Sequence, residues 1–569
     1  MKKSSKKFIM FVVIIMLTVA LVGCGGGEQA PAEVPKEQTA AETSEEQTSE
    51  EPAEEQSPAE LVSFTVGSST AFDTLNPLTS YMQVTYEFFM LIYDSLVVYN
   101  ENYEAVPNLA TEWSHSDDNL TWTFKLREGV KWHDGEPFTS EDVKFTYDLM
   151  METGLGYMYS SYLTGITEVQ TPDDLTVVLI TEEPKANVLM NTTPILPQHI
   201  WAEIAADELE IFPNEMPIGT GPYKFDSQGP NFVKVVKNQD YFGSKPAVDE
   251  YIFVDYENVD SMAQSLMLGE IDGANNLNTA QMKQLEADPN VDVISGEELG
   301  FMQVGVNCWT DEASGGNPLL LDKNIRQAIE LGINKQRIVD IAYTGQGTVG
   351  TTMINPGNFY HYEPTAAELR DYDVEAAKAL LEASGYKDSD GDGVRESADG
   401  APLEFELITI ADNLEEVKSG QLIASDLAEA GIKINNVTMD SGALYDNIIA
   451  GSYDLFIWGW GADLDPTVIM GVLITDQIGG NNEPFFSNAR YDELFLLQQT
   501  ELDEQKRQQM VFEMQQIVYD EAPYIIMIYS NNIQAIRSDR WAGYQQIPET
   551  GTFFHNLTIF NYMNMKPVN

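Results

Sequence analysis

Cysteine is nearly absent: Cys24 and Cys308 are the only two thiols in 569 residues. With the first assigned to lipid below, no intramolecular disulfide is available, and the fold must rest on packing. Cys308 reads as a small buried hydrophobe. Histidine is also sparse. His115, His133, His199, His361 and His555 lie far apart and lack the HExxH spacing of a zinc hydrolase. A GxSxG elbow and a GxxxxGKS/T phosphate loop are missing as well, which removes the commonest hydrolases and nucleotide-binding enzymes. Basic charge is short too, with 31 Lys and Arg against 90 Asp and Glu and a formal net charge of −59. So acidic a chain makes nucleic acid a poor partner. The acids are spread along the whole sequence, which suits solubility or a saline habitat better than steering of cationic ligands.

The amino terminus is the exception to the acidity. Lys2, Lys3, Lys6 and Lys7 precede an apolar run from Phe8 to Val22, and Leu21, Val22, Gly23 and Cys24 read as a lipobox. An apolar run of about 15 residues is short for a membrane span, which needs roughly 20. The expectation is a signal peptide over 1–23, lipid on Cys24, and anchoring on the extracytoplasmic face of the cell membrane through several acyl chains. From 25 to 60 the only large aliphatic residue is Val34, so this segment cannot offset its chain entropy by burial. It reads as a disordered acidic tether, 24–60 with its lipidated cysteine, whose flexible-coil reach is roughly 30–36 Å.

Beyond the tether the chain reads as mixed α/β. In Thr121 to Met151, Trp122, Phe124 and Leu126 alternate with polar residues as on a strand. His133, Asp134, Gly135 and Pro137 mark a turn, and Thr139 with Asp142 has capping-box spacing for a helix. In PIGTGPYKF, Pro217 to Phe225, Gly219, Gly221 and Pro222 force a tight turn into a strand. Further helices are expected over Ser261 to Met267, after Asp373, and twice between Tyr491 and Asp520. Strands are expected over Leu299 to Asn307, Ala401 to Ile410 and Tyr524 to Tyr529.

These two strings, with VPNLATEW (Val106 to Trp113), NIRQAIELGINKQRIVD (Asn324 to Asp340), YDVEAAKALLEASGY (Tyr372 to Tyr386), WGWGADLDP (Trp458 to Pro466) and YDEAPYIIMIY (Tyr519 to Tyr529), resemble in content and order the family 5 extracellular solute-binding proteins. These are the oligopeptide, dipeptide and nickel receptors of ABC importers. The resemblance covers about 61 to 569 and implies a two-lobed type II periplasmic-binding-protein fold, α/β, with an extra domain on the first lobe. It divides the chain into a first-lobe core (61–95, 213–304 and 525–569), an extra domain (96–212) and a second lobe (305–524). Crossings near Gly305 and Pro523 would form the hinge, with ligand in the cleft between.

The same resemblance implies a monomeric receptor that captures a peptide and delivers it to ABC permease subunits, with no covalent chemistry and no required cofactor. Asp463 matches the aspartate that pairs with the ligand's free α-amino group in peptide-binding relatives, a pairing that charge-assisted hydrogen bonds favour. Gly459 and Gly461 would let the backbone approach a peptide. Trp458 and Trp460 suit either the pocket or the core, and Asp465 reads as a turn former before Pro466. Receptors for nickel chelates, opines or oligosaccharides share the scaffold signatures. A secreted hydrolase or a calcium-binding surface protein are the readings from other classes.

Asp388, Asp390, Asp392 and Gly393, with Asp399 at the twelfth position, set oxygen ligands at calcium-loop spacing. Either a structural Ca²⁺ or an acidic surface turn fits. Position twelve is Asp where such loops carry a bidentate Glu, and a strand rather than a helix is expected to follow.

Overall fold

In the computed structural model, residues 61–568 are described, apart from 157–158, 412, 462–463 and 556. Cys24, the 25–60 segment and Asp463 therefore lie outside the described residues. No helix among the described residues is long and apolar enough to cross a membrane.

The backbone of the fold is one mixed sheet of twelve strands. On one side stand Lys433–Met439, Glu404–Ile410, Leu455–Trp460 and Phe301–Val306; on the other stand Gly273–Leu277, Ser63–Ser68, Glu250–Asp255, Phe232–Lys237 and Tyr223–Gly229. The strand Tyr524–Arg537 joins them. Its first half pairs antiparallel with Phe301–Val306 and Gly347–Val349, and its second half with Gly273–Leu277 and Val291–Glu297. Each half has its own apolar cover: Val304, Leu407, Ile457 and Ile525 pack together in one core, while Met262, Leu266, Ile533 and Ala535 pack in another. This is the two-lobed arrangement.

The resemblance set the crossings near Gly305 and Pro523, but the packing moves both. Phe301–Val306 and Tyr524–Tyr529 bury their side chains in the second-lobe cores. The chain instead passes between lobes at Glu298 to Gly300 and at Ser530 to Asn532. The sequence identifies these strands by their apolar residues, but it does not show which core those residues face.

The extra domain is a four-stranded antiparallel sheet, in the order Ala110–His115, Thr121–Leu126, Thr176–Thr181 and Ile166–Asp173, with the helix Ser140–Thr153 against it. Trp122, Phe124 and Leu126 are buried as their alternation predicts. Asp142 reaches back to the Thr139 N–H at 2.9 Å, closing the N-terminal turn of that helix. The core of this domain runs without a break into that of the first lobe, since Trp122 and Val143 belong to the same buried cluster as Phe64 and Tyr251.

The two opening signatures meet here. His133 N–H donates to Gly219 O (2.8 Å), Gly219 N–H donates to His133 Nδ1 (3.2 Å), and His133 Nε2 lies 3.1 Å from Gly221 O. Burial pushes this imidazole down to about 4, so it stays neutral. A side chain at Gly219 would put Cβ 1.8 Å from Ile92 O, and one at Gly221 would put it 2.4 Å from Leu91 O. The glycines are there because backbone passes against backbone, joining the extra domain to the first-lobe helix Gln83–Ile92.

Candidate functional site

A cavity of about 320 Å³ opens where the chain crosses between the lobes. Its walls come from places far apart in sequence: Gln83, Tyr103, 297–302, Asn355 and Gly357, 459–461, Ser530, and a last group from Ile547 to Leu557 that includes Pro548, Thr552 and His555. That volume sits at the lower end of the roughly 300–1,000 Å³ of small-ligand pockets.

The strand Leu455–Trp460 brings one wall. Trp460 lines the cavity, and its Nε1–H points away toward Tyr524 Oη (3.3 Å) and Glu483 Oε2 (3.4 Å), which fixes the ring. Tyr524 Oη donates to the same Glu483 oxygen at 2.7 Å, and desolvation pushes the Glu483 carboxyl up to about 7. Gly459 and Gly461 lie on the same wall for different reasons. A Cβ at Gly459 would stand 2.4 Å from Met302 Sδ, so a side chain there would require the flexible Met302 to move, whereas nothing among the described residues crowds Gly461. Trp458 is half-buried against the second-lobe core and is not among the cavity walls.

The adjoining wall is the crossing segment, which leads into the strand whose Phe301 pairs with Trp460. Glu298 N–H donates to Ser530 O (3.2 Å) and its carbonyl accepts from Asn355 Nδ2 (2.9 Å), so the backbone is held from both lobes. Its carboxylate accepts one hydrogen bond, from Asn532 Nδ2 at 3.1 Å. The neighbouring Glu297 carboxylate accepts from Thr550 Oγ1 at 3.0 Å. Tyr103 adds an aromatic face, with φ 60° and its hydroxyl donating to Ile547 O at 3.1 Å. A tyrosine in left-handed backbone is uncommon and tends to mark sites where side-chain placement matters. His555 also lines the cavity, but burial pushes it down to about 4, so it is neutral. No Lys or Arg is among the described wall residues.

Asp465 does more than turn the chain. It caps the helix Pro466–Gly471 through Thr467 N–H (2.8 Å) and forms an ion pair with Arg507 at 2.8 Å, with side-chain exposures of 0% and 3%. Arg507 also lies 5.2 Å from the centre of the Tyr360 ring. This buried pair ties the start of the helix Pro466–Gly471 to the helix that carries Arg507. Spacing gave no sign of it, because Arg507 is 42 residues away.

The acidic loop gathers differently from its expected frame. Asp388, Asp390, Asp392 and Glu396 bring one carboxylate oxygen each within 4.8 Å of one another. Asp399, the expected twelfth ligand, turns instead to the Ser397 hydroxyl. The chain doubles back through a bridge between Lys387 and Glu396, which brings the ninth position into the ring and leaves the twelfth out.

Comparison with known proteins agrees with this architecture. The oligopeptide-binding protein AppA of Bacillus subtilis is 24% identical over 559 residues, covering 96% of this chain and 98% of its own. Its structure with a nonapeptide matches 89% of this chain and 99% of its own at a TM-score of 0.71 and 23% identity. Di/tripeptide-binding protein 1 of Pseudomonas aeruginosa is 29% identical over 464 residues, 76% of this chain and 82% of its own. NikA of Brucella suis, solved with Fe(III)-EDTA, shares the fold at a TM-score of 0.76 and 20% identity, covering 89% of this chain and all of its own. The family model of the bacterial extracellular solute-binding proteins, family 5, matches residues 104–480, so the sheet crossed by one long strand and the cavity at its crossing are those of a member of that family, to which this chain belongs.

Proposed function

We propose that this protein is a lipid-anchored extracytoplasmic receptor, monomeric, that captures a peptide in the cavity between its lobes and passes it to an ABC permease. The observation that carries the reading is the wall at 459–461, where a strand end, an open glycine and a fixed indole face the cavity. An extended peptide laid there would exchange main-chain hydrogen bonds with exposed backbone, and the cavity would take its side chains. The names of the peptide-binding relatives support the same ligand class.

Asp463 follows this wall by two positions, and in this reading it receives the ligand's α-ammonium group. Asp463→Ala is expected to weaken binding of free peptides at least tenfold while shifting Tm by no more than a few degrees. Amino-terminally acetylated peptides binding the unmutated protein as tightly as free ones would remove that role. The ligand class is tested by native mass spectrometry of the purified protein followed by denaturation. Release of short peptides of mixed sequence is expected, whereas a metal chelate or sugar would keep the receptor and replace the ligand.

A further inference from the structure

Glu298 is a charged side chain without a countercharge. It sits half-buried at the crossing between lobes, on the wall of the cavity, and among the described residues only the neutral Asn532 amide contacts its carboxylate. No ion pair reaches it or Glu297 among the described residues. Asn532 is itself held, its Nδ2 donating to Asn276 Oδ1 at 2.9 Å and its Oδ1 accepting from Asn276 N–H at 3.2 Å. The amide thus positions Glu298 rather than neutralising it.

Among the described residues the surroundings add negative charge, and no cation is paired with Glu298. Glu87, on the helix behind Gln83, is 2% exposed and repels Glu298 electrostatically. One Glu87 oxygen accepts from Tyr562 Oη at 2.7 Å, while Oε1 meets no donor in hydrogen-bonding geometry, with the Gln83 amide beside it. Desolvation raises the Glu298 carboxyl above its ordinary range, as expected of an acid awaiting a countercharge. Buried charges are ordinarily paired. Here the one open direction is the cavity, which Tyr103, Phe301 and Trp460 line with aromatic surface. Aromatic faces attract cations as well.

We propose that the crossing segment forms a cation subsite in which Glu298 seats the ammonium or guanidinium group of a ligand side chain, so that the receptor prefers peptides carrying lysine or arginine. The inference rests on the peptide reading above. Folding has already removed part of the water from this half-buried carboxylate, so less of the desolvation cost is charged to binding an incoming cation. An acidic ligand side chain at the same place meets two carboxylates and is excluded.

The test is competition by native mass spectrometry among tetrapeptides in which lysine or its uncharged isostere norleucine is placed at each position in turn, free and amino-terminally acetylated. Wild-type protein is expected to enrich lysine over norleucine about tenfold at one position, acetylated or not, and Glu298→Gln to reduce that to less than about threefold while retaining the norleucine peptides. Glutamine keeps an acceptor for Asn532, and the wild-type comparison stands alone should the variant fail to fold. Lysine and norleucine peptides bound equally, a preference that survives Glu298→Gln, or one that depends on the free amino terminus would overturn the subsite and leave the peptide receptor standing. If no peptide of either charge is bound, the receptor reading falls and the subsite with it.

Discussion

Glu87 is an acid in a place that water does not reach, and its carboxyl is pushed up to about 7 by that burial against help from Tyr562 and Gln83. A carboxyl whose folded value lies above its unfolded one binds more protons when folded. Its burial therefore costs nothing below about pH 4.5 and costs progressively more as pH rises toward 7, reaching about 3 kcal/mol. His133 and His555 act in the opposite sense. Both are pushed down to about 4, so the stability of their neutral buried form is complete above pH 6.5 and is lost as pH falls from there toward 4. Glu87→Gln keeps an acceptor for the Tyr562 hydroxyl and removes the charge. It is expected to raise unfolding stability by about 1–3 kcal/mol at pH 8 and to leave it nearly unchanged at pH 4.5, measured by urea titration at both values. An equal change at the two pH values would mean that Glu87 is not the group being titrated. Nothing in the sequence distinguished this glutamate from the other acids, since burial is set by the elements packed on its helix.

At the scale of elements the sequence was a good guide wherever one face of a segment meets the core. The alternation of Trp122, Phe124 and Leu126, the Thr139–Asp142 box, and the Asp373 cap of Val374–Ala383, made at 2.9 Å to Ala376 N–H, are local signals that the fold keeps. The glycines of 217–225 are legible as a turn, but their partner is not, because the clash they avoid is with Leu91 and Ile92 far back in the chain. The acidic loop shows the same limit. Asp388, Asp390 and Asp392 lie together as their spacing suggests, while the bridge at Lys387 and Glu396 sets Glu396 beside them in place of Asp399. The calcium reading of this loop, proposed on that donor set, predicts a Tm that rises when calcium replaces chelator in the wild type and stays put in Asp390→Asn. Equal Tm with calcium and chelator would leave the loop an acidic turn.

The whole molecule turns on its two crossings, and the cavity walls illustrate why a site of this kind is hard to read from sequence. Gln83, Tyr103, Glu298 and Asn355 share no local period; the topology of the long strand Tyr524–Arg537 and of its partners brings them together, and only 459–461 was reachable through resemblance. The lobes also meet away from the cavity. Ala186 N–H donates to Gln499 O at 2.8 Å, joining the extra domain to the helix Ala489–Thr500. Lys185, beside it, is pushed down to about 8 by burial, with Asp465 attracting it and Arg507 repelling it. A base whose closed-state value lies below its open-state one opposes closure wherever it is charged when exposed. If separating the lobes exposes Lys185, its charge favours the open form below about pH 8, a bias that fades as pH rises toward 10.5. Lys185→Met removes the charge and keeps an apolar stem, while the Asp465–Arg507 pair is left intact. At pH 7 the variant is expected to be more compact without ligand by small-angle scattering and to bind peptide several-fold more tightly, because a smaller fraction of receptors must close on binding. Unchanged scattering and affinity would place Lys185 outside the closing seam.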